Sequence, residues 1–234
     1  MKDRPVAIVT AAGKGMGAEC ARELASQGWR LSLLSPTKHC TELATELSAI
    51  AQIGSVTRTE DLAHLVERTL TEYGRIDAVI NNTGHPPKGN LLAIPDDDWR
   101  AGCDMVFMNV VRMARLVTPI MERQRQGSIV NISSLGAVQP SPKYPVSSCF
   151  RAGLAAFTKM FADQYASAGI RMNNLLPGFI DTYPVDADVV KEIPLKRAGT
   201  ASEVAKVAAF LASTASSYVT GQNIRVDGGY TRAL

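Results

Sequence analysis

Val6-Ala7-Ile8-Val9-Thr10-Ala11-Ala12-Gly13-Lys14-Gly15-Met16-Gly17-Ala18-Glu19-Cys20-Ala21-Arg22-Glu23-Leu24-Ala25 decides the fold. Val6 to Val9 is a short apolar run, the pattern of a strand covered on both faces. Residues 18–25 are good helix formers, and Gly28 ends the helix they predict. Gly13, Gly15 and Gly17 therefore fall at a strand-to-helix turn. Without Cβ atoms the backbone can approach a phosphate there, and the free N–H groups of the first helical turn point at it. The helix dipole adds partial positive charge at the same place. Such glycines alone are weak evidence. A strand before them and a helix after them make the pattern that of a dinucleotide site.

The same rhythm repeats outward. Arg30 to Ser35 reads as a second strand, stopped by Pro36, and a helix follows over about Lys38 to Ala49. A weaker third strand is predicted near Ile50 to Val56. Thr57-Arg58-Thr59-Glu60 has the form of a capping box, opening a helix whose stripe is Leu62, Leu65, Val66 and Leu70. Ile76 to Ile80 is the fourth strand, closed by Asn81-Asn82-Thr83-Gly84. Asp96-Asp97-Asp98 suits a helix start, and that helix is expected to reach about Arg123 with a bend. Ser128 to Ile132 is the fifth strand. A helix over Pro145 to Ala166 and a strand over Ile170 to Leu176 come next. Thr200-Ala201-Ser202-Glu203 is a second capping box, and Asn223 to Val226 is the last strand. Alternation of this kind predicts a parallel sheet with right-handed crossovers, helices on both faces, and ligands at the carboxyl ends of the strands.

The bulk numbers narrow the function. With 234 residues and 46% hydrophobic content, the chain can bury a sizeable core as one domain. A net charge of +3, dispersed along the chain, gives no case for nucleic acid. Cys20, Cys40, Cys103 and Cys149 lie far apart, as free thiols of a reducing, cytoplasmic setting do, and neither they nor His39, His64 and His85 have metal-site spacing. No apolar run nears a membrane span, and Met1-Lys2-Asp3-Arg4 leads straight into the first strand, with no signal peptide expected.

Six motifs in order carry a resemblance. Thr10…Gly13…Gly15-Met16-Gly17 is similar to a Thr-Gly-x-x-x-Gly-x-Gly turn, with Ala11 in place of the first glycine. Asn81-Asn82-Thr83-Gly84 resembles Asn-Asn-Ala-Gly. Asn109 matches an active-site helix asparagine, and Ser134, ending Ile129-Val130-Asn131-Ile132-Ser133-Ser134, matches a catalytic serine. Pro177-Gly178-Phe179-Ile180-Asp181-Thr182 resembles a segment that lies against nicotinamide, and residues 217–229 resemble a C-terminal signature. Across essentially its whole length the chain resembles the short-chain dehydrogenase/reductases. The resemblance implies a single α/β domain over residues 1–234, a Rossmann-type, doubly wound, parallel seven-stranded sheet with helices on both faces. It implies hydride exchange between a nicotinamide cofactor and a small-molecule carbonyl or alcohol substrate. It assigns cofactor contacts to Thr10, Gly13, Lys14, Gly15, Met16, Gly17, Ser35, Asn81, Thr83, Gly84, Pro177, Gly178, Ile180 and Thr182, and catalysis to Asn109, Ser134 and the helix after it.

That helix departs from the family. Arg151-Ala152-Gly153-Leu154 fixes the register of the usual Tyr-x-x-x-Lys and puts Ser147 at the tyrosine and Arg151 at the lysine. At i and i+4 the two side chains share one face. A serine hydroxyl is far less acidic than a phenol and needs help to move a proton. Arginine stays charged, and its planar fork suits oxyanions and ribose hydroxyls. Three readings follow: hydride transfer with Ser134, Ser147 and Arg151 polarising the oxygen and water near Asn109, Tyr144 or Tyr183 giving the proton; an anionic substrate group on Arg151, or other chemistry beside a fixed nucleotide; and a catalytically impaired nucleotide binder, a sensor or silent subunit.

For the cofactor, the position at the end of the second strand that holds an acid in NAD-preferring relatives is Ser35, and no acid lies between Arg30 and Cys40. Lys14 matches a basic position of NADP-preferring members, and Lys38 is a second candidate. NADP(H) is therefore expected over NAD(H). The short stretch from Gly178 to Ile193-Pro194 predicts an open pocket rimmed by Phe179, Tyr183 and Pro184, with Leu135, Gly136 and Val138 opposite. His85 reads as plain loop. By resemblance the helices at 98–123 and 145–166 pair in a homodimer or homotetramer, with Val106, Met113, Leu154, Phe157 and Phe161 fitting either that contact or a core.

Overall fold

The computed structural model describes residues 4–232; the reading of Met1-Lys2-Asp3 lies outside them. All five residues of β1 (Val6–Thr10) are buried. The glycine turn follows, then α1 (Gly15–Ser26), β2 (Arg30–Ser35), α2 (His39–Leu47), β3 (Ile50–Ile53), α3 (Thr59–Tyr73) and β4 (Ala78–Asn81). The second half runs α4 (Asp96–Cys103), a π-helical turn (Asp104–Met108), α5 (Asn109–Gln124), β5 (Gly127–Ile132), α6 (Pro145–Tyr165), β6 (Ile170–Pro177), α7 (Ala187–Glu192), α8 (Ala201–Ala212) and β7 (Asn223–Val226). The sheet has seven strands in the order β3-β2-β1-β4-β5-β6-β7, every pair parallel. Strand order reverses between β1 and β4, which opens a crevice at their carboxyl ends.

Two apolar layers cover the sheet. Helices α1, α2 and α8 pack on one face through Cys20, Leu24, Leu43, Val204 and Ala208. Helices α3, α5 and α6 cover the other through Leu62, Leu65, Met113, Val117, Leu154 and Phe161. Met113, Leu154 and Phe161 are thus core residues and Val106 is buried as well, so these positions give no face for a second subunit. Beside them on α6, Met160 is exposed.

One feature of the second face is polar. Asn81, Asn131, Asn174 and Asn223 stand in register on four adjacent strands. Asn81 Nδ2 donates to Asn131 Oδ1 (2.9 Å), Asn131 Nδ2 to Asn174 Oδ1 (2.9 Å) and Asn174 Nδ2 to Asn223 Oδ1 (2.8 Å), while the Thr158 hydroxyl of α6 lies 2.9 Å from Asn174 Oδ1. Each buried amide is satisfied by the next, which is the condition for burying it at all. The row ties β4 through β7 together, from the last residue of β4 to the first of β7.

Helix termini test the local readings. Thr200 and Glu203 form the expected capping box. Thr57 does not: α3 starts at Thr59 with Arg58 at its cap and no side-chain bond. The Thr57 hydroxyl is 2.8 Å from Ser55 Oγ, and Asp61 reaches back to the Ser55 N–H, so the turn is held from its other side. The helix after Asp96, expected to bend, is interrupted by the π turn at residues 104–108, and α7, capped by Asp186, lies in the short stretch between Gly178 and Ile193. No helix among the described residues is long and apolar enough to cross a membrane.

Candidate functional site

The turn after β1 is shaped by close approaches. A Cβ on Gly17 would lie 2.4 Å from the Ala11 carbonyl oxygen and 2.7 Å from Asn82 Nδ2. Gly15 has φ +58° and Ala11 has φ +46°, both left-handed. Ala11 stands where the resembling motif has glycine, and its side chain bears the strain that a glycine would not. Lys14 is extended and exposed at the N-cap of α1, with no side-chain cap bond, so the first N–H groups of the helix stay free for an anion. The Thr10 hydroxyl donates to the Asn82 carbonyl (2.7 Å) and accepts from the Asn82 N–H (2.9 Å). Thr10 therefore braces β1 against β4 and has no hydroxyl proton left for a ligand. Asn81 is likewise spent on the asparagine row. Gly84 has open space where a side chain would be, and the buried Thr83 hydroxyl has no partner.

Ser35, at the end of β2, lies under the turn, its hydroxyl 2.6 Å from a Cβ placed on Gly13. Lys38 is exposed at the start of α2. On the far side, Gly178 N–H donates to the Val226 carbonyl, pinning the Pro177-Gly178 segment to β7. Ile180 is buried and bridges to Gly199, and a Cβ placed on Gly15 would lie 3.3 Å from Thr182 Cγ2. The loop after β6 so leans over the turn after β1. Its Phe179 ring packs edge-on against Tyr230 at 5.0 Å.

The reactive end gathers at β5, α5 and α6. Asn109 follows the π turn; its Nδ2 donates to the Met105 carbonyl, and its buried Oδ1 has no partner. Ser134 caps a short 3₁₀ turn, its Oγ accepting from the Gly136 N–H at 3.1 Å. Arg151 is 7% exposed. Its Nε donates to Ser147 Oγ (3.1 Å) and its Nη1 to the Ile132 carbonyl (3.0 Å). Burial pulls its guanidinium pKa down to about 10. Because Ser147 Oγ accepts from a cation, its own O–H is free to donate elsewhere.

Three features escaped the sequence reading. Ser148, buried beside Ser147, accepts from the Ser141 N–H and ties the loop after Ser134 to α6. Lys88 sits 5.0 Å above the Tyr144 ring, and His85 packs edge-on against Tyr183 at 5.0 Å. The loop after β4 thus reaches both tyrosines. His85 is held below the usual imidazole range by desolvation first, then by the charges of Lys88 and Arg151. Only the residue types signalled this; the contacts join loops far apart in the chain. Among the described residues no group of three or more potential ligands could hold a metal.

Comparison with known proteins agrees with this geometry. A family model described as enoyl-(acyl carrier protein) reductase matches residues 10–231. The 3-oxoacyl-(acyl-carrier-protein) reductase FabG of Thermotoga maritima is 34% identical, with 96% of each chain covered. The 3-oxoacyl-(acyl-carrier-protein) reductase of Synechocystis is 33% identical, again over 96% of each chain. Among solved structures, YwfH, described as an NADPH dependent reductase involved in bacilysin biosynthesis, superposes with a TM-score of 0.95 at 26% identity, covering 99% of this chain and all of that one. With the fold, the glycine turn and the Asn109–Ser134 frame in place, the chain belongs to the short-chain dehydrogenase/reductase family.

Proposed function

We propose that the protein is an NADP(H)-dependent oxidoreductase acting on a small carbonyl or alcohol. The cradle fits a dinucleotide: Gly17 admits no side chain, Lys14 leaves the start of α1 uncapped, and the Thr83 hydroxyl lacks a partner. Bound with its diphosphate on that helix end, the nicotinamide supplies or takes up the hydride. Gly13, Gly15, Met16 and Gly17 would line the diphosphate, and Pro177, Gly178, Ile180 and Thr182 would hold the ring side. Ser35 offers no carboxylate to repel a 2′-phosphate, and Lys14 and Lys38 are exposed cations at the two neighbouring helix starts.

Ser134 and Ser147 donate hydrogen bonds to the substrate oxygen. Arg151 occupies the lone pair of Ser147, directs its proton outward, and stabilises negative charge growing on that oxygen. Water held at the unpaired Oδ1 of Asn109 provides the proton that a phenol would give elsewhere. The observation that carries this reading is the Arg151–Ser147 bond, a cation-polarised hydroxyl at the i and i+4 positions where the family has a lysine-polarised phenol. The contrasting reading, a nucleotide binder without turnover, draws on the bond from Arg151 to the Ile132 carbonyl, which spends part of the fork on backbone.

Loss of NADPH absorbance, followed over a panel of ketones, aldehydes and quinones, tests it. Consumption with any of them supports the enzyme. NADPH binding without consumption across the panel favours the silent role, and no binding of either coenzyme overturns both. Direct titration is expected to give tighter binding for NADPH than for NADH.

A further inference from the structure

Arg151 is buried and Arg171 partly buried; neither joins a carboxylate in an ion pair among the described residues, and they differ. Arg171 sends its fork to three backbone carbonyls, of Val219, Leu211 and Ser213. That is a structural arginine with its terminal nitrogens satisfied. Arg151 is more deeply buried and makes one carbonyl bond and one hydroxyl bond. Its Nη2 donates to nothing among the described residues. Nη2 is not among the fully buried unpartnered polar atoms, so this nitrogen of a largely buried guanidinium is open to solvent and to a ligand.

The surroundings do not supply it with a negative charge. His85 and Lys88 stand at the rim above, and both Lys88 and Arg151 act on the His85 ring as like charges. Lys88 lies over the Tyr144 ring and joins no ion pair among the described residues. Asp181, in the loop opposite, turns its carboxylate to the Ala201 N–H. Three basic groups, Arg151, His85 and Lys88, thus lie near one another, with a free guanidinium nitrogen, Nη2, beside the Ser147 hydroxyl.

We propose that Arg151 is the anion-binding residue of the substrate pocket, and that the substrate is a 2-oxo acid, whose carboxylate lies on the free edge of the guanidinium while its carbonyl oxygen lies at Ser147 and Ser134. The 3.1 Å bond from Nε to Ser147 Oγ puts the fork one group away from the hydroxyl. That spacing suits a carboxylate next to the reacting carbonyl, not one at the end of a long tail. The planar fork also suits a carboxylate's two oxygens better than the point charge of a lysine. This rests on the substrate-oxygen roles proposed above for Ser134 and Ser147.

The test separates binding from turnover. The protein saturated with NADP⁺, which cannot reduce a carbonyl, is titrated calorimetrically with benzoylformate and with its methyl ester. The acid is expected to bind at least tenfold more tightly than the ester. Arg151→Met should abolish that preference, Arg151→Lys should keep part of it, and both should still bind NADP⁺. Equal binding of acid and ester by the native protein overturns the proposal. So does an Arg151→Met variant that loses NADP⁺ affinity while keeping the acid preference, which would place the arginine on the ribose instead. If Arg151→Met does not fold, the acid-to-ester ratio of the native protein and the Arg151→Lys variant decides. Acid preference without NADPH consumption leaves the anion site standing and removes the oxidoreductase reading; consumption of the ester and the acid alike, with no binding preference, does the reverse.

Discussion

The turn after β1 and the first turn of α6 lie at the same edge of the sheet and are constrained in different ways. At the turn the constraint is on backbone: a single carbon on Gly17 would collide with the Ala11 carbonyl and with Asn82. At α6 the frame is kept while the side chains change. The π turn precedes Asn109, Ser134 caps its short helix, and Ser147 and Arg151 share one face of α6, where we propose that they replace the family's phenol and ammonium. A backbone cradle tolerates little substitution because every approach is a contact distance. A side-chain pair at i and i+4 can be exchanged whole, because helix geometry keeps the new pair in reach.

The comparison can be broken most forcefully at α6. Ser147→Tyr combined with Arg151→Lys puts a tunable acid back on an unchanged frame. Turnover of neutral ketones with NADPH should rise about 10²–10⁴-fold, the usual weight of a positioned general acid. An unchanged rate in a folded double variant contradicts the view that only the pair has changed. At the turn the expected effect is on binding and stability. Gly17→Ala should cost at least about 2–3 kcal/mol in urea unfolding, because the atom it meets is backbone oxygen, and should weaken NADP⁺ binding in parallel. Ala11→Gly probes the same turn in the opposite direction. Relief of a left-handed alanine, less the added freedom of the unfolded glycine, should stabilise by about 0.5–1 kcal/mol, read from the same urea curves.

The smallest effect concerns the rim. His85 is held below the free imidazole value of about 6.5, so the unfolded chain takes up a proton that the native site resists. Its contribution to stability is therefore present above pH 6.5 and is lost as pH falls through that value towards the native pKa. Lys88→Met removes one of the two like charges and should raise the His85 pKa, measured by proton NMR against His39 and His64. A fall, or no change, would show that Lys88 does not face the ring.

How legible all this was varied with the length scale of the interaction. Arg30–Ser35 and Asn223–Val226 were readable to the residue, because Pro36 and Asp227-Gly228 set their ends and the apolar pattern set their middles. The i and i+4 relation of Ser147 and Arg151 was readable too, since helix spacing is local. Thr57 misled because Ser55 competes for its hydroxyl, a contact no capping rule contains. The asparagine row, the tie from Arg151 to Ile132 and the approach of His85 to Tyr183 depend on strand register and on loops meeting across the crevice. Asn81 shows the consequence: strand register, which its motif does not reveal, pairs its side chain with Asn131.

Calorimetric titration of the native protein with NADP⁺, repeated with adenosine diphosphate ribose as competitor, tests the central claim most directly. The account predicts saturable binding of NADP⁺ at one site, tighter than NAD⁺ and displaced by the competitor. No heat with either coenzyme, or binding that the competitor leaves untouched, would contradict it.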